Sequence, residues 1–121
     1  MIGYICLLLV LLQVKHWYID FVNQSQAEVD GKGIYGEAHG LMHSIKQGVA
    51  TAVILCFFVY EPLVAIIFGF IDFVLHYHID YIKMHYGNRD IKTPAFWAQL
   101  GLDQMAHQLT YLGIAYALFG L

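Results

Sequence analysis

The sequence predicts an all-α fold in which four apolar helices cross a membrane as an antiparallel bundle. The first observation is composition, since 60% of the residues are hydrophobic and only 12% are charged, against about 25% charged in a typical soluble domain. The second is that four stretches approach the ~20 apolar residues that a membrane helix needs. Backbone groups in lipid must bond to one another, so these stretches should be helical. At 121 residues the chain is expected to form one domain, an integral membrane unit over residues 1–121.

The first two helices are expected at about 2–22 and 39–60. The first carries the run ICLLLVLLQV, and it is not expected to be a signal peptide because it lacks a basic start and a small-residue cleavage site. A polar, glycine-rich loop separates it from the second helix, which carries VATAVILCFFVY.

The third and fourth helices are expected at about 63–85 and 94–120. Pro62 fits the first turn of a helix, where its missing amide proton costs nothing. Thr93 followed by Pro94 fits the start of the last helix, because threonine is a good N-cap residue.

The third observation is a repeated spacing, since two metal-ligand side chains stand four residues apart on each predicted helix. Side chains with this spacing share one helix face. In an antiparallel bundle all four pairs fall toward the same side of the membrane, so they are expected to meet in one layer. The pairs are His16/Asp20, His39/His43, His76/Asp80 and Asp103/His107.

These eight side chains predict a metal site. An ionisable group at a helix centre costs ~2.5–3.5 kcal/mol, and divalent cations offset the charge of Asp20, Asp80 and Asp103. Eight nitrogen and oxygen ligands suit two ions, Zn²⁺ before Mn²⁺ or Fe. Two ions about 3.5–4 Å apart can hydrolyse phosphate esters, with the three aspartates as candidate catalytic groups.

Further polar residues stand four residues before or after a member of these pairs, on the same helix faces. Amides, carboxylates and phenols one turn from a ligand can fix the orientation of histidines. Asp72 lies deepest and is expected to need His76 or the metal as its partner. These further polar residues are Gln24, Gln47, Asp72, Gln99 and Tyr111.

The basic residues predict the orientation. Lys15, Lys32, Lys46, Lys83, Arg89 and Lys92 all fall at the end of the bundle that carries the pairs. The positive-inside rule therefore predicts a site facing the cytoplasm and termini outside. Lys15 and Lys83 are expected to reach lipid headgroups or an anionic substrate headgroup. The net charge of −3 predicts no nucleic-acid partner.

The runs HWYIDFVNQ, HGLMHS, HYHIDYIK and DQMAHQ, in this order, resemble a family of small membrane proteins of bacteria and their phages. The resemblance covers nearly the whole chain. The chain is similar, more distantly, to bacterial inner-membrane proteins described as metal-dependent hydrolases. The resemblance implies a bacterial inner-membrane metalloprotein with the eight ligands above, and it adds Gln104 to the polar residues beside them.

The favoured function is hydrolysis of a lipid or lipid-linked phosphate or ester at a site close to the membrane surface. The alternatives are a redox centre (di-iron or haem), metal sensing or transport, and a purely structural polar network. Di-iron bundles usually carry Glu-x-x-His motifs, which this sequence lacks. Gly69, Gly113 and Gly120 on lipid-length helices favour self-association, since small residues allow close approach.

Overall fold

The computed structural model describes residues 1–120, and its regular secondary structure within them is all helical. The all-α prediction is confirmed. Five α-helices follow in chain order: α1 (Ile2–Trp17), α2 (Gln26–Gly31), α3 (Ala38–Leu55), α4 (Pro62–Tyr86) and α5 (Pro94–Phe119). A π-helical turn, Tyr18–Val22, extends α1. The four long helices form a ring in which α1 packs on α3 and α5, and α4 packs on the same two.

The helix starts follow the local sequence. Pro62 occupies the first turn of α4, and the Thr93 hydroxyl accepts a hydrogen bond from the amide of Phe96 at the start of α5. The second long helix differs from expectation at its end, because α3 stops at Leu55 and residues 56–58 form a turn.

A short helix was missed, because the segment before α3 was expected to be a loop. The hydroxyl of Ser25 accepts from the amide of Glu28, and the Glu28 carboxylate accepts from the amide of Ser25. This capping box supplies partners for two amides that a helix start leaves free. The Ser-x-x-Glu spacing was therefore a usable signal for α2.

Helices α3 and α4 approach closely at two glycines. A Cβ added to Gly48 would lie 2.6 Å from the carbonyl oxygen of Gly69, and one added to Gly69 would lie 2.7 Å from that of Gly48. Gly69 thus serves packing within the chain, and self-association stays a prediction. The four long helices together enclose an apolar core that includes Leu8 and Leu12 of α1 and Leu55 of α3.

We expect Gly69→Ala to lower the melting temperature, because overpacking a tight contact costs ~1–3 kcal/mol. Gly113→Ala is the matched control, since within residues 1–120 nothing lies within 4 Å of the added Cβ. Alanine there should leave stability unchanged or raise it by up to about 1 kcal/mol. Equal melting temperatures for the two variants in detergent would contradict the packing assignment.

Two helical segments, Ile2–Val22 and Pro62–Tyr86, are long and apolar enough to cross a membrane. In α3 and α5, polar residues on the inward faces lower the average hydropathy. His43 and Gln47 belong to that face of α3, and Asp103 and His107 to that of α5.

Candidate metal centre

Seven of the eight predicted ligands converge in one buried layer between the four long helices. The exposed fraction of every one is 4% or less. The convergence follows from antiparallel packing, since the residues lie late in α1 and α4 and early in α3 and α5. We call this set the His/Asp cluster: His16, Asp20, His43, His76, Asp80, Asp103 and His107.

The spacing of the cluster's nitrogen and oxygen atoms fits ligands around one ion. The Nε2 atom of His76 lies 3.3 Å from Nε2 of His43, 3.1 Å from Oδ2 of Asp80 and 3.3 Å from Oδ1 of Asp20. Ligands 2.0–2.2 Å from a tetrahedral zinc ion are about 3.3–3.6 Å apart. The donor set is imidazole and carboxylate, which suits zinc, manganese or iron.

Two buried carboxylate oxygens support this fit. Oδ2 of Asp80 and Oδ1 of Asp103 have no hydrogen-bond partner among residues 1–120. Buried acceptors in folded proteins nearly always have a partner, and a cation held by Asp80 would satisfy its Oδ2 atom.

Two overlapping groups in the cluster have ligand atoms that all lie within 4.8 Å of one another. One contains His16, His76 and His107. The other contains Asp20, His76, Asp80 and His107. A buried group of this composition can hold a metal ion.

The structure places His39 outside the cluster. Its side chain is 61% exposed, and its Nδ1 atom bonds to the Glu37 carboxylate at 2.8 Å. At 100° per residue, His39 lies about 80° from Gln47 around α3, whereas Gly40 lies about 20° from it. Gly40 therefore takes the inward position, packed against the backbone of Gly31.

Each aspartate of the cluster faces histidines. Oδ1 of Asp20 accepts from Nε2 of Gln47 at 2.8 Å and lies 2.8 Å from Nε2 of His43. Oδ1 of Asp80 lies 3.2 Å from Nε2 of His107. The catalytic role expected of Asp20, Asp80 and Asp103 stays a prediction.

The polar residues predicted beside the ligands fall into different places. Gln47, Gln104 and Tyr111 touch the cluster directly. Gln24 accepts a hydrogen bond from Lys32, which lies 3.5 Å from Asp80. The other two lie elsewhere: the side chain of Gln99 accepts from the amide of Asn88 at the α4–α5 turn, and Asp72 joins the pair described next.

The position of Lys15 differs from the sequence prediction, because its side chain points into the bundle and not toward headgroups. Its Nζ atom lies 2.9 Å from Oδ2 of Asp72, 2.6 Å from Oε1 of Gln47 and 3.1 Å from the hydroxyl of Tyr111. Thr51 also donates to Asp72, at 2.5 Å. Asp72 is thus paired with Lys15 and Thr51, and not with His76. An unpaired buried carboxylate would be costly, which explains why the lysine turns inward.

Lys83 stays at the edge of the cluster. Its side chain is 21% exposed, and Nζ bonds to Oδ2 of Asp103 at 3.1 Å. A groove of about 340 Å³ between α4 and α5 reaches this pair; its walls are mainly apolar and include Ile79, Ile82 and Leu102.

Two residues of α2 and its C-terminal end were not anticipated as part of the site. Lys32 is 5% exposed and reaches Asp80, and Oε1 of Glu28 lies 3.8 Å from Nδ1 of His43. Burial raises the pKa of Glu28, but hydrogen bonds from Lys46 and Ser25 outweigh it and hold the pKa below its usual value. No spacing on a predicted helix marked these residues in the sequence, because they precede α3 in a polar segment.

These lysines change the electrostatics of the site. Two of the three cluster carboxylates face an ammonium group: Asp80 faces that of Lys32, and Asp103 faces that of Lys83. With neutral histidines the layer therefore carries one net negative charge, where the sequence alone suggested three.

Comparison with known families gives one result. A family model described as a protein of unknown function (DUF3307) matches residues 7–121, so the chain belongs to the DUF3307 family. Neither the curated proteins nor the solved structures contain a match. The resemblance to metal-dependent hydrolases stays a prediction.

Proposed function

We propose that this chain is an integral membrane metalloprotein that hydrolyses a phosphate or carboxylic ester of a lipid. The observation that carries the proposal is the convergence of the His/Asp cluster in one buried layer. Burying three aspartates among apolar helices is costly unless something binds them, and a divalent cation provides that compensation.

We propose further that all four long helices span the bilayer. Support comes from the outward faces of the two less apolar helices. Val49 and Val53 on α3 are 58% and 56% exposed, and Leu109 and Leu112 on α5 are 56% and 50% exposed. Apolar surface of this extent is unusual on a soluble monomer and fits contact with lipid. The basic residues at the cluster end favour a site facing the cytoplasm, in the bacterial inner membrane that the family resemblance implies.

The charges favour one metal ion over the two expected from sequence. One divalent cation on a layer with a single net negative charge leaves one positive charge, which a hydroxide neutralises. A second ion would add two more positive charges next to Lys32 and Lys83. The group best placed to hold the ion is Asp20, His76, Asp80 and His107, with His43 beside it. Zinc is the first candidate and manganese or iron the next.

A metal bound there would supply an activated water and polarise the ester oxygen. The chain's own residues would bind and orient the substrate. The α4–α5 groove offers apolar walls for an acyl chain and ends at Lys83, whose ammonium group can attract an anionic headgroup. Oδ1 of Asp103 has no hydrogen-bond partner among residues 1–120, so it is available to accept a proton from water at that end.

A second candidate, metal binding without catalysis, is favoured by one observation. His43 and His76 are fully buried, and the α4–α5 groove meets the cluster at Asp103, so a substrate needs an entry path to reach the metal. A sensing or structural metal needs no such entry.

The test is to incubate metal-loaded protein with bacterial lipid extract and follow products by mass spectrometry. We expect His107→Gln to abolish turnover, and Lys83→Ala to raise KM more than it lowers kcat, because the lysine supplies mostly uniform binding. His78→Gln is the control, since His78 is exposed and bonds to the carbonyl oxygen of Val74 and the hydroxyl of Tyr35. Identical products from wild type and His107→Gln, or none from either, would leave metal binding without catalysis.

A further inference from the structure

We infer that His16 is not a ligand of the metal but a hydrogen-bond donor, locked with its proton on Nε2. This rests on the proposed function, since it assigns roles around a bound metal. The observation is an unbroken chain of hydrogen bonds that crosses the cluster along α1 and α5. It runs from Lys15 through Tyr111, His16 and Gln104 to Asp103.

The inner end of the chain fixes one nitrogen of His16. An ammonium group can only donate, so the hydroxyl of Tyr111 accepts from Lys15 at 3.1 Å. The single phenolic proton is then free to point to Nδ1 of His16, 2.9 Å away. A lone pair on Nδ1 accepts this proton, whereas a protonated Nδ1 would leave the phenolic proton without an acceptor among residues 1–120.

The outer end fixes the other nitrogen independently. A carboxylate can only accept, so the amide nitrogen of Gln104 donates to Oδ2 of Asp103 at 2.9 Å. This orientation turns the amide oxygen of Gln104 toward Nε2 of His16, also at 2.9 Å. An amide oxygen only accepts, so Nε2 must carry the proton. Both ends give the same tautomer.

Two other histidines of the cluster, His43 and His76, fit the opposite arrangement. Nδ1 of His43 and Nδ1 of His76 have no hydrogen-bond partner within the described part of the chain. Their Nε2 atoms face each other and Oδ1 of Asp20. With the proton on Nδ1, each Nε2 lone pair is free for a metal, and Glu28 lies nearest the Nδ1 proton of His43.

His16 has no lone pair left to coordinate with, because Tyr111 uses the one on Nδ1. Its Nε2 atom, which carries the proton, lies 2.9 Å from Oε1 of Gln104 and 3.4 Å from Oδ2 of Asp20. His16 is thus a positioning residue that holds Asp20 and Gln104 in place. Fixing the orientation of ligands in this way typically changes metal affinity by about 10–100-fold.

The first experiment compares bound zinc in three variants purified in detergent and loaded with zinc alone. His16→Gln keeps an N–H near the Nε2 position, so we expect zinc affinity within about threefold of wild type. His16→Phe removes the donor and should weaken zinc binding about 10–100-fold. His107→Gln removes a ligand and should lose the ion. Loss of zinc from His16→Gln to the extent seen in His107→Gln would overturn the inference.

A second measurement reads the wild-type protein directly and does not depend on metal uptake. Nitrogen-15 labelling of the histidines gives NMR signals that distinguish a protonated, an unprotonated and a metal-bound nitrogen. We expect His16, identified by its loss in His16→Gln, to show protonated Nε2 and unprotonated Nδ1 with and without zinc. A metal-bound signal for His16 would overturn the inference. If wild type takes up no zinc, the proposed function fails, and the tautomer in the metal-free protein still decides the role of His16.

Discussion

Replacing His76 by glutamine is expected to remove the bound metal and to lower the melting temperature in detergent. His76 is fully buried, and its Nε2 atom lies within 3.3 Å of Asp20, Asp80 and His43. Without the metal, both carboxylates lose the charge that offsets their burial. Metal content by mass spectrometry and melting by fluorescence measure the two effects.

Removing the metal from the wild-type protein with a chelator should also lower the melting temperature. A ligand at 1,000 times its Kd stabilises the folded state by about 4.1 kcal/mol, so removing it should lower the melting temperature by several degrees. His78→Gln on the same helix should keep both the metal and the melting temperature. If chelation leaves the melting temperature unchanged and the purified protein carries no metal, the cluster is a structural network without metal.

The second large effect is expected at Lys15, the partner of buried Asp72. Lys15→Met should destabilise the protein by ~3–5 kcal/mol, because it leaves a carboxylate uncompensated in an apolar bundle. Combining it with Asp72→Asn should recover most of the loss, since no charge then remains. Urea or thermal unfolding in detergent measures both.

Arg89→Met is the matched control, because Arg89 pairs with Asp30 at the surface, where the two side chains are 53% and 57% exposed. The effect of breaking this pair should stay near 1 kcal/mol or less. A Lys15→Met loss no greater than that of Arg89→Met would show that Lys15 does not compensate Asp72. A double variant less stable than Lys15→Met alone would contradict the charge argument.

Local sequence determined the helices and most of the cluster. Pro62 and Thr93 set helix starts through their own backbone and hydroxyl chemistry. Spacing of four residues fixed the shared face of His16 with Asp20, and of His76 with Asp80, because a helix repeats every 3.6 residues. Antiparallel order then brought these faces to one level. The Ser25–Glu28 capping box was equally local, and its signal was present but not used.

Only the tertiary structure decided which polar groups face one another. His39 and His43 share the four-residue spacing, yet the packing of Gly40 against Gly31 rotates His39 outward. Lys15 turns inward and Lys32 reaches Asp80 because buried carboxylates on other helices attract them. These pairings join residues 57 and 48 positions apart. Periodicity assigns a residue to a helix face, but the partner of a buried charge depends on which segments the fold brings against that face.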